Sequence, residues 1–488
     1  MGSELRLVSA ESIIDGLRFE NPWWISGSTA SFYTQKKPRL YLSRFQPLVE
    51  NAAVRRAVVL MGPRRVGKTV MMQHCIARLL QQGIPQKKIC FITIENPIYN
   101  NIGLERLFQL ARTGTGEDDP SGWFVFFDEI QYLKDWEVHL KVLVDSYPNT
   151  KFIASGSATA ALKMKSRESG TGRFTDFMLP PLTFYEYIDL KGLSSLILPP
   201  KDTENGQPSA VSAIDIDALN GHYVEYINFG GYPEVIFSEA IRSDPGRFIR
   251  SDIVDKVLLR DLPGLYGISD VQELNALFTM LAYNTGNEVS LDALAKASSV
   301  EKYQLRKYLE YLEAAFLISL IHRVDANSRR FRRANFFKIY LTNPSLRTAL
   351  FAPVNAMDES MGSLVEITVL SQWMHRDTSK PYYARWKDGE VDLVGLDARK
   401  QRSAWALEIK WSDRYFKNPG DLKSLLRFCK KNGLSSAVAT TIAKTGKASV
   451  NEIDVTFIPS SIYTYMVGRI AIEQGDMQFP FGTAGVNV

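Results

Sequence analysis

One stretch, AVVLMGPRRVGKTVMMQHCIARLLQQG at residues 57–83, limits the possible folds more than any other. Five apolar residues predict a buried strand, and the apolar spacing from Lys68 onward predicts a helix that stops at Gly83. Between them, GPRRVGKT (62–69) satisfies the pattern G-x-x-x-x-G-K-[ST] in full and in the strand–loop–helix context that gives it meaning. Gly62 and Gly67 let the backbone curl so that its N–H groups surround a phosphate, and the helix N-terminus adds its dipole. The expected ATP-binding residues are Gly62, Pro63, Arg64, Arg65, Val66, Gly67, Lys68 and Thr69. Lys68 would reach the β- and γ-phosphates, and Thr69 would offer its hydroxyl to Mg²⁺.

Further short apolar runs follow with helices between them: KICFITI (88–94), WFVFFDE (123–129) and KFIASGS (151–157). Strands of this kind predict an α/β fold built on a parallel sheet covered on both faces. FVFFDE would deliver Asp128 to the Mg²⁺ shell and place Glu129 to orient and activate water. At the end of KFIASGS, Ser155 or Ser157 would stand beside the γ-phosphate as a polar sensor, unless Ser-Gly-Ser is only a turn; Ser157 is the candidate. Arg173 is either a solvated loop residue or an arginine donated to a neighbour's site.

At 488 residues the chain is long enough for two to four domains. A hydrophobic content of 45% and a charged content of 23% are those of a soluble globular protein, and a net charge of +5 permits a nucleic-acid partner without arguing for one. Cys75, Cys90 and Cys429 stand singly and predict apolar core residues in a reducing compartment. The N-terminus lacks a signal-peptide apolar core, and no stretch approaches the roughly 18–20 apolar residues of a membrane span, so a cytoplasmic protein without a membrane partner is expected.

The expected segments are an irregular aromatic strap (1–45), the P-loop core (46–215), a helical lid broken at Gly230-Gly231 (216–265), a winged helix (266–345) and a last α/β domain (346–488). The winged-helix expectation rests on three helical patterns followed by a two-stranded ribbon. In that ribbon, RVDANSRRFRRANFFK (323–338) gathers Arg323, Arg329, Arg330, Arg332, Arg333 and Lys338 against a single acid, Asp325. Arg329, Arg330, Arg332 and Arg333 are the expected DNA contacts, through phosphates. A solvated hairpin, or one paired with an acidic face of another subunit, would look the same.

In the last domain, GEVDLVGLDARKQRSAWALEIKWS (389–412) carries two strands of alternating character. Period-2 geometry puts Glu390 and Asp392 on one face and Val391 and Leu393 on the other, and likewise Glu408 and Lys410 opposite Leu407 and Ile409. Paired as a hairpin, these strands bring Asp392, Glu408 and Lys410 together, and Glu366 on the preceding helix would add a third acid. Two carboxylates can hold Mg²⁺ and a lysine can position water, which is the chemistry of a metal-dependent nuclease. Val391 stands where a Pro-Asp turn would complete the motif.

Taken as an ordered set, GPRRVGKT, the spacing to FFDEIQYL, the ASGS strand end, GRF…LPPLTFYEY and GGYPE resemble one family from about residue 20 on. It is the family of prokaryotic AAA-type (AAA+) P-loop ATPases with a winged helix and a restriction-nuclease-like, PD-(D/E)xK C-terminal domain. The resemblance implies ATP hydrolysis, assembly into homo-oligomeric rings, hexamers above all, and a trans-acting role for Arg173. Two functions follow as expectations: an ATPase acting on duplex or branched DNA in repair, recombination or defence, or a nucleotide-controlled switch whose last domain docks partners without cutting.

Overall fold

The computed structural model describes residues 8–157, 172–198, 211–330, 336–375, 381–397, 399 and 402–473. The chain forms two compact units, Met1–Pro180 and Pro181–Val488, each built on its own sheet.

The first unit holds five strands, β1 (Ala57–Met61), β2 (Ile89–Thr93), β3 (Phe124–Asp128), β4 (Lys151–Gly156) and β5 (Phe174–Met178), in the order β2-β3-β4-β1-β5. All four pairings are parallel. Strands β1 to β4 are buried along nearly their whole length, which is why their sequences are continuous apolar runs and not alternating ones. This order inserts β4 between β1 and β3. The carboxyl end of β4 therefore lies between the phosphate loop, which leaves β1, and the acid pair that ends β3.

The N-terminal segment is helical over Ala10–Glu20, with Ser9 as N-cap, and over three shorter pieces, Trp23–Ser26, Ser31–Thr34 and Leu42–Glu50. It closes the open edge of β2. Asn21 donates to the Phe91 carbonyl (2.8 Å) and accepts from the Phe91 N–H (2.6 Å). The indoles of Trp23 and Trp24 both donate to the Ile89 carbonyl, and Glu20 accepts from the Thr93 N–H. An edge strand left unpaired is a template for aggregation, and here four side chains satisfy it in place of another strand.

The second unit has a small ribbon, β6 (Ile197–Leu198) with β7 (Ser212–Ala213), and one large sheet. The large sheet comprises β8 (Glu288–Ser290), β9 (Ile318–Val324), β10 (Phe336–Leu341), β11 (Tyr382–Trp386), β12 (Gly389–Leu396), β13 (Ser403–Glu408), β14 (Ser436–Thr441), β15 (Gly446–Val450) and β16 (Ile453–Pro459). Their order is β15-β16-β14-β13-β12-β11-β9-β10-β8. Helices Val271–Tyr283, Leu291–Ser298 and Lys302–Ala314 alternate with the first strands, and β8, a third strand beyond the expected ribbon, lies between the first two helices. Strand β9 pairs in parallel with β11, so the ribbon and the C-terminal strands share one continuous sheet across residues 345 and 346.

One face of this sheet packs on helices Phe184–Leu190, Ile216–Phe229, Met361–Trp373 and Ser460–Glu473, and the other on Lys423–Asn432. At the break Gly230-Gly231, glycine is required for a steric reason: a Cβ on Gly231 would come within 2.3 Å of the Asn343 side chain. Among the described residues, no helix is long and apolar enough to cross a membrane.

Candidate functional site

The phosphate loop is held by features that only its sequence permits. A Cβ on Gly62 would lie 2.1 Å from the Leu179 carbonyl, and Gly67 adopts φ +92°, a left-handed conformation that costs glycine little. Lys68 begins the helix Lys68–Gln81 and is buried; its ammonium donates to the carbonyls of Gly62 (3.1 Å) and Pro63 (3.0 Å). Val66 accepts a hydrogen bond at its carbonyl from buried Arg39, which also donates to the Pro180 carbonyl, both at 2.9 Å. The N-terminal segment thus clamps the loop from outside the motif.

A connected set of hydrogen bonds leads from the loop to the acids. The Thr69 hydroxyl donates to one Asp128 oxygen at 2.7 Å. The other Asp128 oxygen accepts from the Ser155 hydroxyl, which itself accepts from the Glu129 N–H at 3.0 Å. Gln131 donates to the Glu129 carboxylate and accepts from the Ser157 N–H at 3.1 Å. Of the two serines at the end of β4, Ser155 therefore meets the acids through its hydroxyl and Ser157 enters through its backbone; the Ser157 hydroxyl is buried without a hydrogen bond. Burial first, and the charge of Glu129 second, push the Asp128 carboxyl up to about 6. A buried carboxylate that is costly to ionise, with a hydroxyl on each of its oxygens, suits a divalent cation.

Arg173 precedes β5 at the amino-terminal edge of the sheet, where its carbonyl accepts from the Ala57 N–H and its side chain pairs with Asp145. The loop and Asp128 lie at the carboxyl ends of the strands, so Arg173 is a whole strand away from the nucleotide site of its own chain.

The second unit brings Glu366, Asp392, Glu408 and Lys410 together, with a bulge that period-2 reasoning does not contain. Tyr382 pairs with Val394 but Ala384 with Val391, so three steps on β12 face two on β11. Val391 and Leu393, expected on one face, consequently enter different cores. A bulge re-aims a side chain, and here Leu393 leaves the face of Val391 while Asp392 keeps its expected place beside Lys410. One Asp392 oxygen accepts from the Ile409 N–H (2.7 Å) and lies 3.4 Å from the Lys410 ammonium, which is 2.8 Å from Glu408. The other oxygen of Glu408 is buried and accepts no hydrogen bond. Burial, then the charge of Asp392, raise the Glu408 carboxyl to about 8.

Glu366 meets an unexpected partner. Lys338, counted by sequence within the basic hairpin, is 3% exposed and points into the protein. Its ammonium lies 3.0 Å from Glu366 and pairs also with Glu390, while the Tyr340 hydroxyl donates to the same Glu366 oxygen at 2.5 Å. Burial disfavours the charge on Lys338, but Glu366, Asp392 and Glu390 together more than offset it and hold the lysine above its ordinary range. Among the described residues, no group of three or more His, Cys, Asp and Glu side chains is gathered closely enough to hold a metal ion. What the arrangement suits is a single ion on two carboxylates, Asp392 and Glu408, of which the second has an oxygen without a donor.

Arg329 and Arg330 are exposed on the turn after β9, with Arg330 stacked over the Tyr382 ring at 4.7 Å. Arg332 and Arg333 lie outside the described residues. Arg323 is tied down, donating to the Arg385 carbonyl and lying 3.6 Å from Glu288. Sequence reasoning missed Arg39, Gln131 and the inward aim of Lys338. Gln131 was findable, two residues after Glu129 in FFDEIQYL; Arg39 and Lys338 carry no motif.

Residues 54–188 match the AAA domain family. The five-stranded parallel sheet and phosphate loop among them are an α/β P-loop core of AAA type. Residues 220–358 match a domain of unknown function, DUF8612. An uncharacterized protein of Haemophilus influenzae is 25% identical over 294 residues, which is 59% of this chain and 68% of that one. The uncharacterized protein MJ1544 of Methanocaldococcus jannaschii is 24% identical over 353 residues, 70% of this chain and 73% of its own. Among solved structures, the ORC2 protein of Aeropyrum pernix aligns over 75% of this chain and 95% of its own, at 13% identity and a TM-score of 0.34. A mutant RuvB of Thermotoga maritima aligns over 57% of this chain and 86% of its own, at 18% identity and a TM-score of 0.26.

Proposed function

We propose that the protein is a Mg²⁺-dependent ATPase of AAA+ type that assembles with itself, as a hexameric ring above all, and acts on duplex or branched DNA in the cytoplasm. The observation that carries the ATPase reading is the hydrogen-bonded path Thr69–Asp128–Ser155–Glu129. Thr69 and Asp128 would hold Mg²⁺, which supplies charge neutralisation at the β- and γ-phosphates. Lys68, resting on the carbonyls of its own loop, has a short path to the same phosphates. Glu129, oriented by Gln131 and by the Ser155 contact to its backbone, is placed to accept a proton from attacking water.

Support for the DNA reading comes from the second unit. The order helix, strand, helix, helix, ribbon over 271–341 is that of a winged helix, with exposed Arg329 and Arg330 on its hairpin. Helix Met361–Trp373, the antiparallel run β11-β12-β13, helix Lys423–Asn432 and β14 parallel to β13 support a nuclease-like fold. A second reading, the nucleotide switch with a docking domain, is favoured by one observation: lysines already lie against all four carboxylates of the cluster.

ATP hydrolysis measured alone and with single-stranded, duplex, forked and four-way-junction DNA separates the two, with Glu129→Gln as the control for contaminating activity. Stimulation of several-fold or more by one DNA form, absent in the variant, is the expected result. A rate indifferent to every DNA would leave the switch as the better account.

A further inference from the structure

We propose that Lys338 is a built-in cation standing in for a second metal ion, so that the carboxylate cluster of the second unit takes one divalent ion and not two. The inference rests on the reading of Asp392 and Glu408 as a metal site. It adds what the neighbouring pair of acids does.

Four carboxylates crowd this end of the sheet: Glu366 from the helix Met361–Trp373, Glu390 and Asp392 from β12, and Glu408 from β13. The two halves of the cluster are satisfied unequally. On the Glu366–Glu390 side, the Lys338 ammonium lies between two carboxylates and within 5.4 Å of the Tyr383 ring centroid. Glu366 accepts from the Tyr340 hydroxyl as well, and the second oxygen of Glu390 lies 3.1 Å from Arg385. That side is paired around a buried ammonium (Lys338 is 4% exposed at its side chain), although Glu390 keeps 29% of its own side chain exposed.

On the Asp392–Glu408 side, Lys410 reaches Asp392 only at 3.4 Å, keeps about a quarter of its side chain exposed (26%), and leaves one buried Glu408 oxygen without a donor. A buried carboxylate oxygen without a partner costs free energy, which a bound cation would recover. One half of the cluster is therefore complete without an ion and the other is not.

The residue that completes the first half belongs to β10, the return strand of the arginine-bearing hairpin. A lysine there fixes one positive charge permanently where a metal would come and go. It also ties the helix glutamate to the ribbon, in keeping with the continuous sheet that joins the two segments.

The test is a count of Mn²⁺ bound by the full-length, nucleotide-free protein, by equilibrium dialysis, with electron paramagnetic resonance of the bound ion. Wild type is expected to bind one Mn²⁺ more than Asp392→Asn, with the spectrum of an isolated ion. Lys338→Met is expected to bind two more than Asp392→Asn, the added pair showing exchange coupling, while Lys338→Arg keeps the wild-type count. A wild type that binds two extra ions overturns the proposal and leaves the metal-site reading standing. So does a folded Lys338→Met whose count does not change. Equal counts in wild type and Asp392→Asn remove the metal site itself, and the proposal with it. Should Lys338→Met not fold, the wild-type count alone decides between one ion and two.

Discussion

Asp128 shows how one residue of the candidate site carries a cost in stability. Burial and the adjacent charge of Glu129 hold its carboxyl at about 6, above the ordinary 3.8. A group whose pKa is raised by folding contributes stability that is fully present below the unfolded value and lost as pH rises through the folded one. For Asp128 that window runs from roughly pH 4 to 7, and a shift of this size corresponds to about 3 kcal/mol. Asp128→Asn, neutral throughout, is therefore expected to stabilise the nucleotide-free protein at pH 8 relative to its effect at pH 4.5, while abolishing hydrolysis. Urea denaturation of both proteins at the two pH values measures this; the same difference at both would remove the burial argument. Residues of this kind were legible in the sequence because a contiguous motif names them: Lys68, Thr69, Asp128 and Glu129 all stand where the spacing puts them. Arg39 and Lys338 were not, because each acts on residues far away in the chain, and a lone basic residue reads as solvated until its partners are seen.

Among elements, the sequence shows strands better than it shows edges and registers. The buried parallel strands announce themselves as apolar runs, and β1 to β4 lie where such runs were read. The bulge in β12 could not be read, since alternation assumes an unbroken register, and neither could the role of the N-terminal helices. Those helices close β2 with side chains, and Asn21 alone serves both polar groups of Phe91 while fully buried. Asn21→Leu would leave a buried N–H and a buried C=O without partners, at a cost of about 2–4 kcal/mol. Chemical denaturation of the two proteins checks this; a loss below about 0.5 kcal/mol would mean that water reaches the edge and the helices only lie over it. The experiment also asks whether the segment before the phosphate loop is part of the nucleotide unit, since Arg39 on the same segment bonds to Val66.

For the whole molecule, the geometry of Arg173 makes assembly a question about catalysis. The register Ala57↔Phe174 and Met61↔Met178 puts Arg173 at the amino end of a parallel sheet whose carboxyl end carries the phosphate loop. Five residues of strand separate the two ends, roughly 17 Å at about 3.3 Å per residue, with the buried core of the sheet between. An arginine so placed cannot reach the γ-phosphate of its own subunit, and its pairing with Asp145 holds it at the surface, part-exposed, where a second copy could receive it. If each site takes Lys68 from one subunit and Arg173 from the next, Lys68→Ala and Arg173→Ala are each inactive as homo-oligomers. Mixed in equal amounts and allowed to exchange, they regenerate intact sites wherever an Arg173→Ala subunit meets a Lys68→Ala neighbour in the right order. Random assembly makes that about a quarter of all sites, so about a quarter of the wild-type rate should return. An Arg173→Ala protein that hydrolyses ATP normally by itself would show that the site is complete within one chain. Two inactive variants that stay inactive on mixing, while size-exclusion chromatography shows that their subunits exchange, would place Arg173 in its own subunit's fold and not in a neighbour's chemistry.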